Sequence, residues 1–361
     1  MSEPEKKWLP CGAATLIGSL PHRDRRKAIG LVFEEMREIP VWPQLSPYPL
    51  EQMMAQYNEG LPGLVCENNR TWFVTSGSSF EQELLHFYEE YLAVTEGELP
   101  LSKSRFRFGD DTGKTFFSFL ERLSRQQPAP NSVKGQITGP FTLLSGLRDA
   151  EDRLSLYDPR LRDTVVKSLA LKARWQAELL DRFSDPPLIF IDEPGLAGFG
   201  SSAFISVSAT EVRDMLEEVA SHIHEASALA GIHVCANTDW SLFFGSSLDL
   251  INFDAYNYFD RFILYRSDLL SFIERGGVVA WGIVPTMEED DIKRENVDSL
   301  ASRCLQQLKR VAGEEIPLAT VFRQSLITPS CGCGTLSEAL AEKVIHLTRG
   351  VSERLRQELN S

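Results

Sequence analysis

Eight short strand-like segments recur along the 361 residues, most of them ending in a polar residue and followed by a stretch long enough for an amphipathic helix. This alternation is the strongest constraint on the fold, because parallel strands need long crossovers and helices supply them. The runs fall at 14–18, 40–45, 132–138, 188–192, 231–235, 248–254, 277–284 and 325–328. In the fourth, Leu188, Ile189, Phe190 and Ile191 follow one another without polar alternation, which predicts a strand buried on both faces. Helices are expected over 24–37, 161–183, 210–229, 297–311 and 335–359. The interval 46–130 is too long for an ordinary connection and is expected to cap one end of the fold. Within it, 71–75 reads as an extra strand, and 80–94 and 116–125 read as helices. The expectation is an α/β protein: one elaborated (β/α)8 TIM barrel over residues 1–361, with 46–130 as a capping insertion between strands two and three. No repeat, low-complexity tract or flexible linker divides the chain.

Charge and cysteine usage narrow the function classes. Acidic residues number 51 against 37 basic ones, a net charge of −14, and no Lys/Arg block stands out, which argues against nucleic acid or an anionic membrane as a partner. The N-terminus shows no apolar leader, and no later run reaches the roughly 18 apolar residues of a membrane span, so the expected location is cytoplasmic. There the six cysteines, Cys11, Cys66, Cys235, Cys304, Cys331 and Cys333, are expected as reduced thiols open to a metal.

In a barrel the strand ends converge on one face, and the polar residues ending these runs are expected to share a pocket: Ser19, His22, Gln44, Asp192, Glu193, His233, Cys235, Asp254, Cys331 and Cys333. Alternation along a strand puts His233 and Cys235 on the same side. Two thiols, an imidazole and a carboxylate suit Zn²⁺ better than magnesium or calcium, which assigns His233, Cys235 and Cys331 as ligands with Asp254 as a weaker fourth. Other readings stand beside these. A His-x-Cys pair also occurs as a buried histidine beside a core thiol. Asp254 is equally placed to cap a helix starting near Tyr258, and Cys333 is either a bystander or an alternative ligand. The Asp192-Glu193 corner holds either a loop by hydrogen bonding or a cationic group of a ligand. His86, His222, His224 and His346 lie in helical patterns and read as surface or packing residues, as Cys11, Cys66 and Cys304 read as structural.

Six stretches in order resemble the catalytic half of cobalamin-independent methionine synthase, in a superfamily with uroporphyrinogen decarboxylase and the corrinoid-dependent thiol methyltransferases. They are Thr15-Leu16-Ile17-Gly18-Ser19-Leu20-Pro21, Thr138-Gly139-Pro140-Phe141-Thr142, Ile191-Asp192-Glu193-Pro194-Gly195-Leu196, His233-Val234-Cys235, Asp249-Leu250-Ile251-Asn252-Phe253-Asp254 and Thr328-Pro329-Ser330-Cys331-Gly332. The resemblance implies a zinc-bearing barrel that activates a thiol such as homocysteine for methylation. Its zinc ligands would fall on His233, Cys235 and Cys331, and its carboxylate ligand on Asp254, where methionine synthases carry the longer glutamate. It also implies that the Ile17-Gly18-Ser19 turn and Asp192 hold the amino-acid part of homocysteine, with Glu193 beside them. For the carboxylate that the family uses near strand two, Glu51 and Glu59 are the candidates. The stretches cover only the catalytic half of full-length methionine synthases, so the expected methyl donor is a methylated corrinoid protein or a methyl-folate. Two alternatives stay open: a metal-free decarboxylase of the uroporphyrinogen type, and a non-catalytic protein that binds metal or thiols.

Overall fold

A computed structural model describes residues 8–67 and 70–359; the first seven residues, on which most of the reading of the N-terminus rests, lie outside them. Six of the expected strands form one parallel sheet: β3 (Lys134–Thr138), β4 (Leu188–Asp192), β5 (Leu229–Val234), β6 (Leu250–Phe253), β7 (Val278–Val284) and β8 (Ser325–Pro329), paired in that order. Every residue of β3, β6, β7 and β8 is buried, as a parallel sheet covered on both faces requires.

The first two expected strands are reduced to a pair of dipeptides, β1 (Ser19–Leu20) and β2 (Gln44–Leu45), which run parallel to each other. Around them the ladder survives as single bridges. Ala14 bridges Ile327 of β8, and Val41 bridges Lys134 of β3. Thr15 N–H donates to Ile327 O (3.1 Å), and Lys134 N–H donates to Pro40 O (2.9 Å). The shortening has local causes. Pro40 and Pro43 bring no N–H to the ladder. Gly18 takes φ +145°, and a side chain there would run into Gln136.

The crossover helices begin where their sequences supply caps. Asp158 caps Pro159–Leu180, which also has proline in its first turn, and Ser208 with Glu211 forms a reciprocal capping box on Ala209–Glu225. Asn296 with Ser299 does the same for Val297–Ala312. The interval 46–130 contains the helices Ser78–Thr95 and Lys114–Leu123 and an antiparallel hairpin of Leu64–Glu67 with Arg70–Phe73. Its Phe108 and Phe116 stack edge-on against Trp42, joining it to the same apolar core as the sheet. No helix among the described residues is long and apolar enough to cross a membrane.

Candidate metal centre

Register alone brings the central histidine between two polar neighbours. His233, near the end of β5, pairs with Asp192 of β4 on one side and Asn252 of β6 on the other. Cys235 follows two residues later, just past the strand, and Cys331 lies two residues beyond β8. The loop carrying Cys331 comes so close to β1 that a Cβ on Gly332 would sit 2.0 Å from Ser19 Oγ and force that hydroxyl to turn away, and Cys333 N–H donates to Ser19 O (2.9 Å). As a result, one ligand atom each from His233, Cys235 and Cys331 falls within 4.8 Å of the others.

His233 is 2% exposed, and its ring orientation is fixed from behind. Asn252 Nδ2 donates to Ala280 O (2.9 Å) and Thr328 Oγ1 (2.8 Å), which turns its Oδ1 toward His233 Nδ1 in a short contact. An acceptor at Nδ1 means that Nδ1 carries the proton, leaving the lone pair on Nε2. Nε2 is buried and has no partner other than the neighbouring Cys235 thiol. An imidazole held through one nitrogen, with the other aimed at two thiols, matches the way proteins orient a histidine toward a metal.

The electrostatics favour positive charge at this corner. Hydrogen bonding from Cys331 and then from His233, against the effect of burial, pulls the Cys235 thiol down to about 4. Hydrogen bonding to Cys235, reinforced by burial, pushes the Cys331 thiol up. Burial lowers the affinity of His233 for a proton, but Cys235, Asp192 and Asn252 together outweigh it and hold the imidazole above its ordinary value. Asp192 is pushed up to about 6 by burial, against the pull of Lys134 and His233, and its Oδ1 is buried without a partner. Lys134 Nζ lies inside the sheet, donating to Ile17 O (2.6 Å) above the Phe190 ring, and burial lowers it to about 8.

A cavity of about 330 Å³ opens onto these groups, with Ile17, Ser19, Gln44, Glu51, Gln52, Met53, Asp192, His233, Cys235 and Cys331 in its wall. Of the polar residues expected to share one pocket, Glu193, Asp254, His22 and Cys333 are not in that wall, each because its side chain is engaged or packed elsewhere. The Glu193 carboxylate accepts from Phe141 N–H (2.9 Å), Thr142 N–H (2.7 Å) and Thr142 Oγ1, so it holds the start of helix Pro140–Gly146. Asp254 caps helix Ala255–Phe262, with one oxygen accepting from Asn257 N–H and the other from Asn257 Nδ2, both at 2.8 Å; burial raises it to about 6. Cys333 is packed in the apolar core, where burial pushes its thiol up to about 12. His22 faces the last helix. Glu51 reaches the cavity, paired with Arg25 (3.0 Å), whereas Glu59 accepts from Gly109 N–H and Thr112 Oγ1, about 50 residues further along the interval 46–130. His224, read as a surface or packing residue, is half-buried and bonds Asp249 (2.8 Å).

Asn252 and Lys134, which the sequence reading did not single out, stand beside the candidate site, the first against His233 and the second near Asp192. Asn252 interrupts the apolar run Leu250-Ile251-Asn252-Phe253, and a polar residue within a strand buried on both faces is the signal that marks it.

No protein-family model matches the chain, and neither does any curated protein sequence. Its fold is similar to that of a methyltransferase from Methanosarcina mazei, with a TM-score of 0.57 and 13% sequence identity, covering 96% of this chain and 94% of that one. A GH20 catalytic module of the pneumococcal exo-beta-D-N-acetylglucosaminidase StrH superposes with a TM-score of 0.48 and 8% identity over 97% of this chain and 86% of that one. At these identities the likeness concerns the fold alone.

Proposed function

We propose that this chain is a zinc-dependent S-methyltransferase, similar to methionine synthase, that places a methyl group on a small thiol such as homocysteine. One observation carries the reading: three donors of the types zinc prefers, from two strand ends far apart in sequence, meet at a cavity wall, and the imidazole nitrogen among them has no other partner. His233, Cys235 and Cys331 would hold the ion, and Asp254 would be a fourth ligand only if an oxygen left Asn257. A bound zinc ion supplies Lewis acidity, which makes a neighbouring substrate thiol a thiolate at neutral pH.

The chain's own residues then bind and orient. Asp192, with an unpartnered oxygen in a buried setting, suits a substrate ammonium, and Ser19 suits the carboxylate at the other end of an amino acid. Glu193 supports this corner from behind by fixing the Pro140–Gly146 helix. In the reaction a bond forms between the substrate sulfur and the methyl carbon. The donor–carbon bond breaks with its electron pair left on the donor, and the thiol proton goes to solvent. The donor in this proposal is a methylated corrinoid protein or a methyl-folate.

The fold belongs to the same proposal: a (β/α)8 barrel in one domain, with the Ala14 and Val41 bridges joining β1 and β2 to the two edges of the six-stranded sheet and 46–130 as its cap. Similarity of fold to the archaeal methyltransferase supports methyl transfer as the reaction. A cytoplasmic location is the setting in which the thiols stay reduced. The metal-free decarboxylase reading leaves two thiols at the cavity wall without a task.

The test is zinc content and methyl transfer measured together. The wild type should hold one zinc ion per chain and methylate homocysteine with one of the two donors, and Cys235→Ala and Cys331→Ala should lose both properties. Full zinc content in both variants contradicts the ligand assignment.

A further inference from the structure

A second group of metal-binding residues lies outside the cavity wall. His22, in the loop after β1, meets Glu338 and Glu342 of the last helix, Glu338–Leu359, with one ligand atom from each within 4.8 Å of the others. The two glutamates are four residues apart and so share one face of that helix.

An ion-pair knot explains the glutamates. Lys27 Nζ lies 3.0 Å from Glu338 Oε2 and 2.8 Å from Glu342 Oε1, and hydrogen bonding to it is the main reason both carboxylates sit below their ordinary range, with the nearby His22 ring adding to the effect. The remaining contact, from Arg23 N–H to Glu338 Oε1 (3.3 Å), involves the backbone. The knot does not explain His22. The residue is 0% exposed, and neither of its ring nitrogens has a hydrogen-bond partner. Leaving a buried polar group unpaired costs on the order of 1–3 kcal/mol, so something should engage this ring. Its Nε2 lies 3.6 Å from Glu342 Oε1, too long for a hydrogen bond. That separation is, however, what two donors about 2.1 Å from one ion would show.

We infer that His22, Glu338 and Glu342 form a second divalent-cation site, of the carboxylate-rich nitrogen-and-oxygen type that suits Mn²⁺, with Lys27 as the monovalent competitor now lying between its carboxylates. Two features make exchange feasible. The glutamate side chains are 38% and 32% exposed, and the Lys27 side chain is 51% exposed and free to swing into solvent. The site also connects two walls of the cavity, because His22 follows Ser19 by three residues and Glu338 follows Gly334 by four. An ion here would tie the loop after β1 to the start of the last helix and so hold the Ser19 and Cys331 loops together.

Mn²⁺ is the probe, because it disfavours thiolates and so discriminates against the His233 centre. Electron paramagnetic resonance on the full chain should count one tightly bound Mn²⁺ in the wild type and in Cys331→Ala. That count should fall to none in His22→Ala and in Glu342→Gln. Lys27→Met should bind Mn²⁺ roughly tenfold more tightly, since a neighbouring positive charge is gone. Should His22→Ala fail to fold, Glu342→Gln and Lys27→Met carry the test. No Mn²⁺ bound at millimolar concentration, equal binding in wild type and Glu342→Gln, or weaker binding in Lys27→Met would each overturn the inference. Loss of binding in Cys331→Ala would do so too, by assigning the ion to the thiol centre.

Discussion

The carboxamide of Asn252 determines which nitrogen of His233 is left for a metal. Its Nδ2 is committed to Ala280 O and Thr328 Oγ1, so its oxygen is the atom offered to His233 Nδ1. Replacing Asn252 by Ala should therefore weaken zinc binding about 10–100-fold without removing any ligand, as measured by competition with a chromogenic chelator. Affinity equal to wild type would mean that the ring is oriented by something else. At this scale the sequence was informative wherever chemistry is carried by residue type: His233, Cys235 and Cys331 could be singled out as soft donors ending apolar runs. It was uninformative wherever a role depends on register. Asn252 and His233 are 19 residues apart, and only the pairing of β5 with β6 puts them side by side. Asp192 and Glu193 are neighbours in sequence that part company in space. One faces the cavity and the other is spent on a helix terminus, because successive residues leave a strand on opposite sides.

Between elements, two polar contacts add to the hold of the apolar core. Glu193 satisfies two backbone N–H groups and one hydroxyl at the start of helix Pro140–Gly146, all buried. Glu193→Ala strands those donors, and urea denaturation should show a loss of about 3 kcal/mol. A loss below ~0.5 kcal/mol would show that the helix start does not depend on it. His224, in the last turn of helix Ala209–Glu225, bonds Asp249 just before β6, and that hydrogen bond raises the imidazole above 6.5. A histidine whose folded value is raised stabilises the fold fully below the unfolded value, and the contribution disappears as pH climbs through the folded one. The stability difference between wild type and His224→Gln should accordingly be largest below 6.5 and shrink above it; a difference that grows with pH would contradict the pairing. Of the central strands, β4 and β7 were the most legible because burial on both faces leaves unbroken apolar runs, whereas β3, with Lys134, Gln136 and Thr138, stood out by its place between helices. Strands β1 and β2 were legible only as positions, since proline and a positive-φ glycine leave their ladders broken. The extra strand at Arg70–Phe73 was anticipated, but its partner Leu64–Glu67 was not, being partly exposed and lacking an apolar pattern.

Over the whole molecule, the proposed ligands come from the ends of β5 and β8, which are held apart by β6 and β7 in the sheet. A metal bound there ties distant parts of one parallel sheet together, so binding free energy becomes folding free energy. Removing zinc with a strong chelator should lower the melting temperature by roughly 5 °C, and Cys331→Ala should melt at one temperature with or without chelator. Equal chelator sensitivity in that variant would place the responsible ion elsewhere. The most direct test of the central claim is zinc-edge X-ray absorption on the purified chain, with and without homocysteine. The account predicts a shell containing two sulfurs and an imidazole nitrogen that gains a third sulfur when the thiol is added. A shell of oxygen and nitrogen alone, or a spectrum that homocysteine leaves unchanged, would contradict it.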